Sequence, residues 1–356
     1  MKFIHTADIH WGMVPDSDRP WGKKREQAIR LTFQTIVEEA REIHADLLLI
    51  SGDLFHRQPL ARDLKEVNYL FSTIPGTRVV IIAGNHDRIR KSSALLSFQW
   101  APNVTYLMDE NLSSVYFEDL NTEVYGFSYH TPEILEDKTA RFSIPDNHRH
   151  KILMMHGGDA KHLPFDKSAV AAMPFSYVAL GHIHKPGALI ENRMVYPGSP
   201  EPLDMTETGA HGYYVGEIDT ISGHVTSLEF KTASLTQYIS LVVSVTPATT
   251  NLELSQLIAD EIRKRGAGNI YRFRIRGMRD PDIEFDLDFL SGQWNIIEII
   301  DESEPQYDFH ALFAEHPSDM IGFYIRALLK EEMSTVEKKA LYYGIHALLM
   351  TKDERS

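Results

Sequence analysis

Short aliphatic runs, each ending in residues with carboxylate, imidazole or amide side chains, recur through the first half of the chain. Phe3-Ile4 leads to Asp8 and His10, Leu47 to Ile50 leads to Asp53, and Val79 to Ile82 leads to Asn85, His86 and Asp87. Ile152 to Met155 leads to His156, and Val178 to Leu180 leads to His182 and His184. Apolar runs this short, bounded by Gly or polar residues, predict strands buried on both faces of a parallel sheet. In open α/β sheets the ligand crevice lies beyond the carboxyl ends of the strands, so five separate segments are expected to carry their polar tips to one place. With these side chains, that place is a metal site.

Between the runs the spacing turns helical. Ile29, Phe33, Ile36, Val37 and Ala40 predict a helix over 23–44, and a second is expected over 61–72. Parallel strands joined by helices follow. From about residue 104 the pattern changes to short strands between turn residues, at 114–118, 123–128, 194–196, 212–218 and 225–231. These predict a second sheet, closing a two-layered β core flanked by helices, an α/β fold. The ligand-bearing pattern stops around 232–237, so residues 1–234 read as one domain. A small α+β domain is expected over 235–302, from strand 238–245, helix 252–265 and strands 270–275 and 296–300. Residues 303–356 carry helical signals alone, at 307–315, 317–331 and 334–350.

Composition narrows the chemistry. A chain of 356 residues has room for two or three domains with their own cores, and its 43% hydrophobic content is that of an ordinary globular protein. No apolar stretch approaches the roughly 20 residues of a membrane helix, and no signal-peptide pattern is present, so a cytoplasmic location is expected. The absence of cysteine excludes disulfides, thiolate zinc sites and cysteine nucleophiles. Any metal must therefore be held by His, Asp, Glu, Asn or backbone oxygen. The net charge of −14 argues against nonspecific clinging to polyanions, although the charge is locally segregated. Residues 263–279 hold Arg263, Lys264, Arg265, Arg272, Arg274, Arg276 and Arg279 without an acid, and residues 280–304 hold acids without a base.

The order Asp-x-His, Gly-Asp, Gly-Asn-His-Asp, His, Gly-His-x-His resembles the calcineurin-like metallophosphoesterases, over about residues 1–220. The resemblance implies the metallophosphoesterase fold and two divalent metal ions. Asp8, His10, Asp53 and His184 would hold one ion, Asp53, Asn85, His156 and His182 the other, with Asp53 between them. Imidazole, carboxylate and amide ligands without thiolate suit Mn2+ first, with Fe2+ and Zn2+ as alternatives. Such a centre attracts a phosphate diester and makes water a nucleophile. The resemblance further implies that His86 serves the transition state and leaving group, with Asp87 holding its imidazole in one tautomer. An ordinary turn carboxylate is the other reading of Asp87.

Ile4 to His10, Ser51 to His56, Gly84 to Asp87, Gly181 to His184 and Tyr196-Pro197-Gly198-Ser199 are similar to the SbcD-type DNA repair exonucleases. This implies a metal-dependent DNA exonuclease and endonuclease subunit in double-strand end repair, partnered by an SbcC-like coiled-coil ATPase and forming a homodimer. Residues 235–302 stand where these nucleases carry a capping domain that helps bind DNA, and 303–356 where helices dock onto the ATPase. His56 matches a position tied to DNA placement, and a surface or core histidine is an equal alternative. Arg272, Arg274 and Arg276 alternate along one strand, interleaved with Phe273 and Ile275, so their guanidinium groups share a face that can follow a phosphate backbone. A solvated face is the other reading. The apolar helix positions Phe323, Ile325, Leu328, Leu341, Ile345 and Leu348 either pack within the chain or mark a partner site. Two other function classes stay open: a phosphoesterase for nucleotides or other small phosphodiesters, and a noncatalytic DNA-binding scaffold.

Overall fold

A computed structural model describes residues 1–353, and the chain divides after Tyr238 into two compact units. In chain order the first unit contains β1 (Lys2–Thr6), α1 (Gly22–Glu42), β2 (Leu47–Ser51), α2 (Ala61–Ser72), β3 (Arg78–Ile82), β4 (Val104–Tyr106), β5 (Ser113–Phe117) and β6 (Thr122–Gly126). It continues through β7 (His150–His156), α3 (Lys167–Ala172), β8 (Tyr177–Gly181), β9 (Gly187–Ile190), β10 (Met194–Tyr196), β11 (Gly212–Ile218) and β12 (Val225–Thr232). One sheet runs β12-β11-β1-β2-β3-β4 and the other β5-β6-β7-β8-β10-β9. The expected two-layered β core flanked by helices is present. The five ligand-bearing runs, however, do not share one parallel sheet. β1, β2 and β3 lie in the first sheet and β7 and β8 in the second. Strands buried on both faces look alike in sequence whichever sheet they join, so the runs could not declare their partition.

Side-chain alternation builds the layers. Along β2, Leu48 and Ile50 face α1 and α2 with Phe33, Ile36, Val67 and Phe71. Leu47 and Leu49 face the other way, against Ile152, Met154, Tyr177 and Ala179 of the second sheet. The outer face of that sheet packs Leu153, Met155 and Leu180 against Val170 of α3 and Phe175. A polar pin crosses the inter-sheet layer: the fully buried His5 on β1 meets the Tyr177 hydroxyl at 2.8 Å, the Leu180 carbonyl at 3.1 Å and Ser51 Oγ at 3.2 Å. It thus ties together the three strands whose ends carry Asp8, Asp53 and His182.

Burial pushes the His5 imidazole down from 6.5 to about 3, against the opposing pull of the Leu180 carbonyl. The fold buries the neutral ring, so its contribution is complete above 6.5 and is lost as pH falls from there toward about 3. The His5→Gln protein is expected to be less stable than wild type at neutral pH, and to lose less further stability on acidification. Urea unfolding at several pH values measures this, and parallel pH profiles would refute it.

The second unit carries β13 (Tyr238–Val245), α4 (Asn251–Arg265), β14 (Ile270–Arg279), α5 (Leu287–Gln293), β15 (Ile296–Asp301), β16 (Glu304–Pro305), α6 (Phe309–Glu315), α7 (Met320–Leu328) and α8 (Thr335–Asp353). Thr250 and Glu253 cap α4 reciprocally, satisfying its first free amides. Leu254, Ile258 and Ile262 of α4 pack on Tyr271, Phe273 and Ile275 of β14. The final helices share their own cluster, with Ile325, Leu341 and Ile345 buried, while Met320, Phe323, Val336, Tyr343 and Met350 are exposed. Among the described residues no helix is long and apolar enough to cross a membrane.

Candidate metal centre

The chain leaves β1 and β2 side by side, joined by Asp8 N–H to Gly52 O at 3.1 Å and His10 N–H to Asp53 O at 3.0 Å. Asp8, His10, Asp53 and His182 all adopt positive φ, of 53°, 51°, 50° and 94°. Positive φ is uncommon for residues with a Cβ and concentrates where surrounding structure enforces a functional geometry. Here hydrogen bonds enforce it: the His182 amide donates to Asp8 Oδ2 at 2.9 Å, and the His86 amide to Asp53 Oδ1 at 2.9 Å. Gly84 lets β3 approach, because a Cβ there would collide with the Asp53 carboxylate and the His156 imidazole.

The structure brings the tips together across both sheets. His10 Nε2 lies 3.3 Å from His184 Nε2 and 3.7 Å from Asp53 Oδ2. His184 Nε2 is 3.9 Å from Asp8 Oδ1. On the other side, His156 Nε2 lies 3.3 Å from Asp53 Oδ2 and 3.1 Å from Asn85 Oδ1. Donor atoms bound at about 2.1 Å to one octahedral ion stand about 3 Å apart, so these spacings suit ligands of a divalent cation. Asp8, His10 and His184 form one compact ligand group, and Asp8, Asp53 and His156 another. Asp8 is common to the two groups, and Asp53 lies near His10 on one side and His156 on the other.

Electrostatics favour cations at this spot. Burial opposes ionisation of Asp53, yet His156, His10 and His86 outweigh it and hold the carboxylate charged well below the usual range. Burial likewise opposes protonation of His156 and His184, but Asp53 raises the first to about 9, and Glu207 with Asp8 raises the second to about 9. His10 is driven well below its ordinary value, first by burial and then by His184, His86 and His56, against Asp53. A divalent ion answers the same carboxylate charge, and its binding displaces imidazole protons.

Carboxylates and carbonyls behind the histidines decide which ring nitrogen is free. His156 Nδ1–H donates to Ser51 O at 2.9 Å, leaving Nε2 on the Asp53 and Asn85 side. His184 Nδ1–H donates to Glu207 Oε1 at 2.6 Å, leaving Nε2 beside Asp8 and His10. His182 instead gives Nε2–H to Asp159 Oδ2 at 2.8 Å, so Nδ1 keeps its lone pair, and its ring lies 5.2 Å from that of His156. Asp159 also holds His162 Nδ1 at 3.0 Å. Partners of this kind fix ring orientation and tautomer and typically carry a tenfold to hundredfold share of metal affinity. Replacing Glu207 or Asp159 by Ala is accordingly expected to weaken Mn2+ binding about tenfold or more, measured by calorimetric titration. Unchanged affinity in both variants would remove them from this role.

Neither Asp159 nor Glu207 stood out in the sequence, since each acquires its meaning from loop folding. Asp87 takes a place other than expected. Its carboxylate accepts from the Gly84 amide at 2.8 Å and the Phe55 amide at 3.2 Å, so it binds the two ligand loops together rather than holding His86. Burial, reinforced by Asp53, raises it to about 7. His86 Nδ1–H donates to the His56 carbonyl at 3.1 Å, and the two rings stack 5.2 Å apart at the mouth of the site. His56 Nδ1 also approaches His10 Nδ1, at 3.2 Å. In the second unit Arg272 pairs with Glu298 at 2.7 Å, and Arg274 and Arg276 share Glu302, at 3.2 and 2.6 Å. Phe273 and Ile275 are fully buried between them.

Two helix-flanked sheets that deliver carboxylates, imidazoles and an amide to one point define a metal-dependent hydrolase. The chain belongs to the calcineurin-like phosphoesterases, whose family pattern matches residues 1–186, and it is a metallophosphoesterase. Members of this family use divalent metals, and the residues gathered here provide ligand groups for them. The uncharacterized metallophosphoesterase YhaO of Bacillus subtilis is 27% identical over 300 residues, covering 78% of this chain and 72% of that protein. The DNA double-strand break repair protein Mre11 of Methanopyrus kandleri is 25% identical, covering 68% of this chain and 59% of that protein. Its namesake from Methanocaldococcus jannaschii is 31% identical, covering 52% of each. The chain thus spans little more than half the length of these two Mre11 proteins.

Proposed function

We propose that this phosphoesterase cleaves phosphodiester bonds in DNA, as the nuclease subunit of a double-strand end repair assembly. The carrying observation is the convergence of Asp8, His10, Asp53, Asn85, His156 and His184 behind an exposed imidazole, His86. Similarity to proteins named for DNA double-strand break repair supports DNA as the substrate. Together with His182, these residues would hold a pair of divalent ions, Mn2+ first, which when bound would supply positive charge toward the phosphate and lower the pKa of water. The chain's own residues do the rest. Asp53 and Asp8 orient the centre, the carboxylates and carbonyls behind the histidines keep their lone pairs turned inward, and His86 protonates the departing oxygen.

In this reading residues 235–302 cap the nuclease domain, with Arg272, Arg274 and Arg276 placed along β14 for the DNA backbone. Residues 303–356 receive an SbcC-like coiled-coil ATPase, for which Phe323, Val336 and Tyr343 offer exposed apolar contacts. The active form is a homodimer. The test incubates the isolated chain in Mn2+ with linear duplex DNA, single-stranded oligonucleotides and a nitrophenyl phosphodiester. Cleavage of DNA together with the small ester is expected. Rapid turnover of the small ester with DNA left intact would overturn the DNA assignment in favour of a small-molecule phosphodiesterase.

A further inference from the structure

An open cleft of about 540 Å³ adjoins the centre, with Arg57, Gln58, His86, Arg88, Arg90 and Glu133 in its lining. Three arginines meet here in a chain whose 50 acids outnumber its 36 Lys and Arg. The lining's carboxylate, Glu133, has Lys161 at 3.9 Å as its own partner. Among the described residues the guanidinium groups of Arg57 and Arg90 have no ion-pair or hydrogen-bond partner, and both residues are exposed. Arg88 is anchored by donating Nη1–H to Asn85 O at 3.2 Å, which sets its guanidinium beside the backbone of a candidate metal ligand. Gln58 Oε1, buried with no partner among the described residues, lies in the same wall and can accept from a nucleotide N–H or hydroxyl.

Planar guanidinium forks match phosphate oxygens, and a concave site lined by one sign of charge concentrates the opposite sign. We infer that this cleft is a subsite for a second phosphate group of the substrate, adjoining the phosphate that reacts beside His86, with Arg57, Arg88 and Arg90 as its ligands. The inference rests on the phosphodiesterase reading above and sharpens it, because a substrate with a single phosphate leaves these arginines unused. The second phosphate is either the next diester of a polynucleotide strand or a terminal monoester at a strand end.

Three substrates separate the cases in Mn2+: thymidine 5′-nitrophenyl phosphate, the same ester with a 3′-phosphate, and the same ester extended through a 3′,5′ diester to a second nucleoside. Wild type is expected to show a KM about tenfold lower for at least one two-phosphate substrate than for the first. The Arg57→Ala/Arg90→Ala protein is expected to lose that advantage, with kcat and the single-phosphate KM unchanged, which also reports an intact fold. Preference for the monoester identifies a strand end, and preference for the diester a strand interior; either supports the subsite. No gain from a second phosphate in wild type, or an equal loss on all three substrates in the variant, would overturn it. Retained two-phosphate preference with duplex and single-stranded DNA left intact would overturn the DNA assignment and leave the subsite standing.

Discussion

Asp53→Asn is expected to abolish measurable phosphoester hydrolysis, lowering kcat/KM by about a thousandfold or more for DNA and small diesters alike. The reason is position rather than charge alone. Asp53 Oδ2 stands within 3.7 Å of His10 Nε2 and within 3.3 Å of His156 Nε2, which belong to opposite sides of the centre. Its Oδ1 receives the His86 amide, so the same carboxylate also sets the loop that carries Asn85 and His86. An amide keeps one acceptor for that backbone bond but cannot supply the negative charge that the proposed pair of cations requires of this position. Titration with Mn2+ should therefore show tight binding lost, while circular dichroism and the unfolding transition show a folded chain. An active Asp53→Asn protein would mean that hydrolysis does not depend on a bridging carboxylate, and the two-metal assignment would fall with it.

Much of this centre was legible from sequence because the physics that creates it is local. A buried strand must be apolar and must stop, and the residues just past the stop are the ones a crevice can use; Asp8, Asp53, Asn85, His156 and His184 all follow that rule. What stayed hidden depends on three-dimensional neighbours. The division of β1, β2 and β3 from β7 and β8 into separate sheets leaves no trace in strands that are apolar on both faces. Asp159 and Glu207 sit in loops 157–163 and 199–211, where acids are ordinary, and become significant once His182 and His184 are seen to need acceptors for their outer nitrogens. Asp87 is a different case. The resemblance implied that it holds the His86 imidazole, with a turn carboxylate as the other reading, and the folded loops turn its carboxylate inward to the Gly84 and Phe55 amides. Likewise the alternating arginines of β14 do share a face, yet β15 sets Glu298 and Glu302 against them, a pairing that no reading of one strand reveals.

His86→Ala should separate leaving-group chemistry from metal binding. The side chain is exposed, and its Nδ1–H is spent on the His56 carbonyl, so Nε2 is the nitrogen available to a substrate oxygen. Stacking on His56 and an edge contact with His10, at 4.8 Å between centroids, hold the ring over the centre; His86 groups with His10 and His56 and stands outside the two groups that contain Asp8, so the Mn2+ titration of the variant also reports whether His86 is a ligand. Removing a positioned general acid typically costs a hundredfold to ten-thousandfold, and about that loss in kcat is expected on DNA, with Mn2+ affinity and stability near wild type. The loss depends on what departs. A nucleoside alkoxide is a poor leaving group and needs the proton, whereas nitrophenolate is stable as an anion, so the variant should retain most of its turnover on a nitrophenyl diester. Equal losses on both substrates would assign His86 to binding the phosphate in its ground and transition states. Full activity on DNA would exclude it from the reaction, since no other exposed imidazole is stacked at the mouth of the site among the described residues.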